Sequence, residues 1–191
     1  AKYGDQLARI AEKNKVNLEF EAAVCGGVPI IRSLKEGLIG NKISKVYGIF
    51  NGTSNYILST MDKENKSFDK VLDNAKKLGY AESNPSADLN GDDVAAKLKI
   101  LSSLCFNSFL NHNIYVEGIK NIDKTDINNA NKLGYKIKLI GYAELLKNKI
   151  YQRVHPTFIK NSSYAASIDG VLNAVIVDGQ PVGQSIIQGE G

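Results

Sequence analysis

Several features that would assign this chain to a membrane, a secretory route or nucleic acid are missing from it. No apolar run approaches the roughly 18 residues that cross a bilayer, and no basic, then apolar, then small-residue leader opens the sequence. Cysteine occurs only twice, as Cys25 and Cys105, each in an apolar setting (AAVCGG and SSLCFN). That excludes a disulfide framework and reads as two buried free thiols in a reducing cytoplasm. Charge of one sign is also lacking: 24 basic residues face 20 acidic ones, for a net +4. The lysines near 63–77 and 132–149 are interspersed with acids and asparagines, without interleaved aromatics, so they read as solvated faces rather than a nucleic-acid footprint. A strand, a G-x-G-x-x-G loop and a helix in succession are absent too. Gly26-Gly27 follows an apolar stretch without the rest of that fingerprint, and Gly189-Glu190-Gly191 closes the chain.

What remains is ordinary for a globular protein: 191 residues, 43% apolar and 23% charged, enough for one domain over 1–191 with a substantial core. Periodicity predicts a helix over 3–14, a strand over 17–25, and a short helix from Pro29 to about Lys35, stopped by Gly37. A strand over 43–50 turns at Asn51-Gly52 into a helix capped by Thr53 or Ser54. Ser67 caps a helix through Leu78, and Asp92–Phe106 carries the clearest helical pattern, with Val94, Ala95, Leu98, Leu101, Leu104 and Cys105 on one face. A helix over 125–133 precedes strands over 135–146 and 150–158, joined at Lys147-Asn148. A last hairpin (174–177, 182–187) turns at Asp178-Gly179. Helices and strands do not alternate strictly, so the expected class is α+β, a mixed and largely antiparallel sheet with helices on one face.

The most informative run is GYAESNPSADLNGDDVAAK, Gly79 to Lys97. It gathers Glu82, Asp88, Asp92, Asp93 and Lys97 around a proline and a glycine. Asp93 and Lys97 stand four apart on one helical face, so the carboxylate can orient and tune an amine that exchanges a proton with a substrate. Glu82 and Asp88, in the preceding loop, can hold the ammonium of a small zwitterion. The plainer alternative stays open on chemistry alone: Asp92 as an N-cap, Asp93 as a first-turn acid, and Asp93–Lys97 as a surface pair.

The spaced pattern G-Y-A-E, N-P, D-L-N-G-x-D-x-x-x-K resembles the signature of the homoserine dehydrogenases. FEAAVCGGVPIIRSLKEGL, KVYGIFNGTSNYIL, VHPTFI, LNAVIVDG and the closing QGEG resemble further segments of that family in the same order. The resemblance implies NAD- or NADP-dependent interconversion of L-homoserine and L-aspartate 4-semialdehyde. Lys97 would be the proton donor or acceptor, and Asp93 its orienting partner. Glu82 and Asp88 would bind the amino group, with Gly52, Thr53 and Tyr80 framing the substrate; N-capping alone would also explain Thr53. Gly189 and Gly191 would lie at the cofactor. Glu21 and the carbonyls of Val24, Gly26 and Val28 would surround a monovalent cation, typically sodium, against the alternative that Glu21 caps a helix or pairs with a lysine. His112 and His155 are given no role.

The resemblance further implies a homodimer, and a nucleotide-binding domain and second active-site lysine outside this chain, which alone would be inactive. Two competing readings are an amino-acid-binding module without redox activity and a dehydrogenase for another amino-acid semialdehyde.

Overall fold

In chain order the helices are α1 (Gly4–Lys13), α2 (Ile30–Arg32), α3 (Gly52–Glu64), α4 (Phe68–Lys77), α5 (Ser86–Asn90), α6 (Asp92–Phe106) and α7 (Lys124–Lys132). The strands are β1 (Lys42–Ile49), β2 (Tyr115–Val116), β3 (Tyr135–Leu146), β4 (Lys149–Lys160), β5 (Leu172–Gln180) and β6 (Gly183–Glu190). These come from a computed structural model that describes residues 3–108 and 114–191; His112 lies outside them. The strands form one sheet in the order β2-β4-β3-β1-β5-β6. All neighbours are antiparallel except β2 and β4, whose short parallel pairing joins Tyr115 to Arg153. The fold is α+β, as the mixed order of elements implied.

Period-two alternation sorts the strand residues onto two faces. Val46, Ile137, Leu139, Ala143, Val154, Val175 and Val177 turn toward the helices and join Ile57, Leu58, Met61, Val71, Leu98 and Leu101 in the main core. Burying an aliphatic side chain of this size is worth roughly 1.5–3 kcal/mol, so this layer fixes how α3 and α6 sit on the sheet. The opposite face carries a second, smaller cluster of Ile49, Ile140, Ile168 and Ala174, flanked by Tyr47 and Tyr142. A 3-10 turn, Tyr164–Ser167, lies over part of that face, burying Ala165 and Ala166.

That covering segment is pinned by a lysine. The Lys138 ammonium, with its side chain 2% exposed, donates to Asn55 Oδ1 at 3.0 Å, the Ile168 carbonyl at 2.5 Å and Asp169 Oδ1 at 2.8 Å. Asn55 Nδ2 in turn donates to the carbonyls of Ile168 and Leu172, both at 3.1 Å. The first turns of α3 are therefore anchored to β3 and to the turn before β5.

Four expectations are corrected. Residues 17–25 make no strand but a turning segment: Cys25 and Gly26 both have left-handed backbones (φ 56° and 51°), which a strand cannot contain. The cap of α3 is Asn51, whose Oδ1 accepts from Ser54 N at 2.8 Å, rather than Thr53 or Ser54. Gly91, not Asp92, occupies the N-cap position of α6. The last hairpin runs to Gln180 and turns at Pro181-Val182, so Asp178 and Gly179 remain within β5.

Candidate functional site

The site is built where β1 ends. Phe50 is fully buried, and the two glycines paired across β1 and β3, Gly48 and Gly141, make room for its ring. A Cβ at Gly141 would come within 2.6 Å of that ring, and one at Gly48 within 2.0 Å of the Ala174 carbonyl. With the ring seated, the Phe50 carbonyl and the Asn51 side chain emerge in fixed positions at the start of α3.

On the facing element, α5 and α6 meet at Gly91, which sets Asp88 and Asp93 on either side of the junction. Asn51 Nδ2 donates to Asp88 Oδ1 at 2.7 Å and to Asp93 Oδ2 at 2.8 Å. Lys97 Nζ lies 2.7 Å from the same Asp93 Oδ2 and donates to the Phe50 carbonyl at 2.8 Å. The expected Asp93–Lys97 pair is present, with side chains 29% and 20% exposed, so it is more enclosed than a surface i,i+4 pair.

Burial pushes the Asp88 carboxyl up from its ordinary value; the bond from Asn51 and the charge of Lys97 oppose this, while Asp93 and Glu82 add to it. Glu82 is exposed and, among the described residues, makes no hydrogen bond, but its charge reaches Asp88. Asp92 is exposed and takes no part. The arrangement thus holds an ammonium group bonded to a carboxylate, with Asp93 Oδ1, Asp88 Oδ2 and Glu82 left as acceptors among the described residues. It can bind a small cationic group and exchange a proton beside it.

Thr53 Oγ1 donates to the Tyr80 carbonyl at 2.7 Å, and the Tyr80 ring, 43% exposed, leans on Tyr56 with centroids 4.9 Å apart. Thr53 therefore ties the Gly79–Glu82 loop to α3 instead of capping its own helix. Gly52 opens α3 pressed against Val171, whose carbonyl would lie 2.7 Å from a Cβ. His155 Nδ1 is engaged locally with the Pro156 carbonyl at 2.8 Å.

The cation expectation is not supported. Both Glu21 oxygens accept backbone amides at the start of α2, Oε1 from Ile31 at 2.7 Å and Oε2 from Arg32 at 3.0 Å. The Val28 carbonyl accepts from Ile30 N at 2.7 Å. Glu21 is a helix cap, and Val24 and Gly26 belong to a loop folded against the chain's own end: a Cβ at Gly26 would fall 2.5 Å from the Gly191 carbonyl carbon. These contacts give Glu21 and its loop a structural role, and none of them supports a sodium site.

Gly189 and Gly191 have similar internal reasons to be small, since their Cβ atoms would approach Val28 Cγ2 to 3.2 Å and Asn173 Nδ2 to 1.9 Å. They nevertheless close on the Cys25 loop. The Cys25 thiol, pushed up to about 11 by burial, also feels the charges of Lys97 and Asp93, so the end of β6 lies in the neighbourhood of the acidic cluster.

A cavity of about 310 Å³ lined by Lys42, Ser44, Lys147 and Gln180 lies at the opposite end of β1. At about 3.3 Å per residue it is roughly 26 Å from Asn51 along that eight-residue strand, and none of the site residues lines it.

The homoserine dehydrogenase family model matches residues 29–191. A homoserine dehydrogenase from Neisseria gonorrhoeae is 46% identical over 192 residues, covering all of this chain and 44% of the relative. The crystal structure of a homoserine dehydrogenase from Thiobacillus denitrificans superposes with a TM-score of 0.96 at 46% identity, over 100% of this chain and 44% of that one. A hyperthermophilic archaeal homoserine dehydrogenase mutant solved in complex with NADPH gives 0.83 at 30% identity, over 99% and 54%. The chain therefore spans a little under half the length of the curated relatives it matches.

Proposed function

Because this chain belongs to the homoserine dehydrogenase family, we propose that it forms the substrate-binding part of an enzyme that interconverts L-homoserine and L-aspartate 4-semialdehyde. The observation that carries the reading is the chain of contacts from Asn51 through Asp93 to Lys97, with open carboxylate oxygens beside it. A nicotinamide cofactor, NAD or NADP, supplies or takes up the hydride when bound. Gly189 and Gly191, at the end of β6 beside the Cys25 loop, are the residues of this chain that would meet that group.

The residues of this chain bind, orient and move a proton. Glu82 and the outward oxygens of Asp88 and Asp93 receive the substrate ammonium, which discriminates a zwitterion from a plain alcohol. In its neutral amine form Lys97 takes the proton from the homoserine hydroxyl as hydride leaves its carbon, and the ammonium so formed returns that proton in the reverse direction. Asp93 Oδ2 and the Phe50 carbonyl hold that amine in one place. Homodimerisation through the sheet face bearing the half-buried Tyr47 and Tyr142 would cover apolar surface that the Tyr164–Ser167 turn leaves open.

The test is hydride transfer to NAD or NADP by the full-length protein, offered L-homoserine or 4-hydroxybutyrate, which lacks the ammonium. Homoserine-dependent turnover with at least a tenfold preference over 4-hydroxybutyrate is expected; no turnover, or equal use of both, overturns the reading. A binding module without redox activity is disfavoured, since the matched relatives are dehydrogenases along the whole of this chain.

A further inference from the structure

The residue that joins the two halves of the site is Asn51, and sequence patterns did not single it out. It is 5% exposed. Its carboxamide has only one orientation: the Ser54 amide donates to Oδ1 at 2.8 Å, so the oxygen faces the helix and the NH₂ group must face the acids. The two donated bonds, 2.7 Å to Asp88 and 2.8 Å to Asp93, place two carboxylates around one neutral donor. Without it, two like charges would share a half-buried space, a situation that drives one of them to bind a proton. A protonated Asp93 would no longer hold the Lys97 ammonium, and a protonated Asp88 would no longer attract a cationic substrate.

We propose that Asn51 is a positioning residue that keeps Asp88 and Asp93 both ionised and aimed, and that through Asp93 it fixes Lys97 for proton exchange. The inference rests on the dehydrogenase reading for its kinetic consequences but not for its electrostatic ones. The groups that bear on the pair are Asp88 from α5, Asp93 and Lys97 from α6, Glu82 from the loop before α5, and the Cys25 thiol from the loop opposite.

Asn51→Asp separates capping from positioning. Aspartate caps as well as asparagine, so the start of α3 is retained, but a third carboxylate replaces the donor and the like-charge repulsion lowers the thermal midpoint as well. In the full-length protein the expected result is a fall of about 10–100-fold in kcat/KM for homoserine, with the acid limb of the pH profile moved upward by roughly one unit or more. Asn51→Gly, which keeps a tolerable cap and removes the donor, should lose activity comparably with a smaller shift, and it carries the test if Asn51→Asp does not fold.

Activity within threefold of wild type and an unmoved acid limb would overturn the proposal, as would a loss accompanied by a lower thermal midpoint and an unmoved limb. Should the wild-type protein fail to oxidise homoserine, the functional reading fails by itself. Carbon-13 titration of the aspartate carboxyls in wild type and Asn51→Asp then decides: upward shifts at Asp88 and Asp93 support the positioning role, and unshifted titrations overturn it.

Discussion

Replacing Lys97 by alanine removes two contacts and one chemical function, and their sizes can be separated. The ammonium sits 2.7 Å from Asp93 Oδ2 and donates to the Phe50 carbonyl at 2.8 Å. A hydrogen bond to a charged group is worth about 1.5–3 kcal/mol. With the two side chains 20% and 29% exposed, water can reach both groups after truncation, so the net loss of stability should be about 1–2 kcal/mol. That is small beside the 5–15 kcal/mol typical of a folded domain, and the variant should fold. Kinetically, a positioned acid–base group contributes about 10²–10⁴-fold, so kcat should fall by that factor while cofactor affinity stays unchanged. The assay is nicotinamide absorbance with homoserine in the full-length protein, with thermal melting alongside. Lys97→Arg sharpens the result, since a guanidinium keeps the charge but does not release a proton near neutrality. If it restores more than a third of wild-type kcat, Lys97 acts electrostatically. A drop in kcat of less than tenfold for Lys97→Ala would remove it from the chemistry altogether.

Three further outcomes are expected. Because the folded pKa of Asp88 is raised, its stabilising contribution is present below 3.8 and lost as pH rises through the folded value; Asp88→Asn should therefore not lower the melting temperature at pH 7, while KM for homoserine rises about tenfold or more, and a clear loss of stability would contradict this. For Asp169 burial pushes the carboxyl up, but its bond to Lys138 and the charges of Lys63 and Lys136 outweigh it, and the net shift is downward. Its stability is present above 3.8 and lost as pH falls through the folded value, so Asp169→Asn should flatten the acid limb of a stability–pH curve, and about 2–3 kcal/mol should be lost at neutral pH from leaving Lys138 without its anion. Sedimentation of the full-length protein should give a dimer at micromolar concentration, and a monomeric mass would refute burial of the open sheet face by a second copy.

The elements legible in the sequence are those whose pattern is long and local. The apolar face of α6 and the alternation of β3 and β4 each extend over twelve residues or more, and their bounds were recovered within one or two residues. The failures have separate causes. Residues 17–25 alternate like a strand, yet Cys25 and Gly26 take positive φ, and Glu21 is drawn to the amides of α2. Helix α5 is five residues long, too short for a helical period to show. Lys138 falls at a strand position whose alternation assigns it to the outer face, where a lysine is ordinarily solvated. Its burial follows from the Tyr164–Ser167 turn folding back over that face, an event about 30 residues away that no local pattern contains.

The same distinction runs through the site. Asp93 and Lys97 could be paired from their spacing because one helical turn brings them together. Asn51 could not, since its bonds to Asp88 and Asp93 span 37 and 42 residues and depend on the seat that Gly48 and Gly141 provide for Phe50. Among the three polar residues at the start of α3, only Asn51 both caps the helix and reaches the acids; Thr53 reaches the Tyr80 carbonyl instead and Ser54 supplies the amide that orients the cap. The polar groups that chemistry would use directly are thus written in one short stretch, Glu82 to Lys97. The groups that hold them in register come from β1, α3 and the glycines behind them. A substitution at Gly141 should accordingly perturb Lys97 without touching it, by displacing the Phe50 ring and with it the carbonyl that receives the amine.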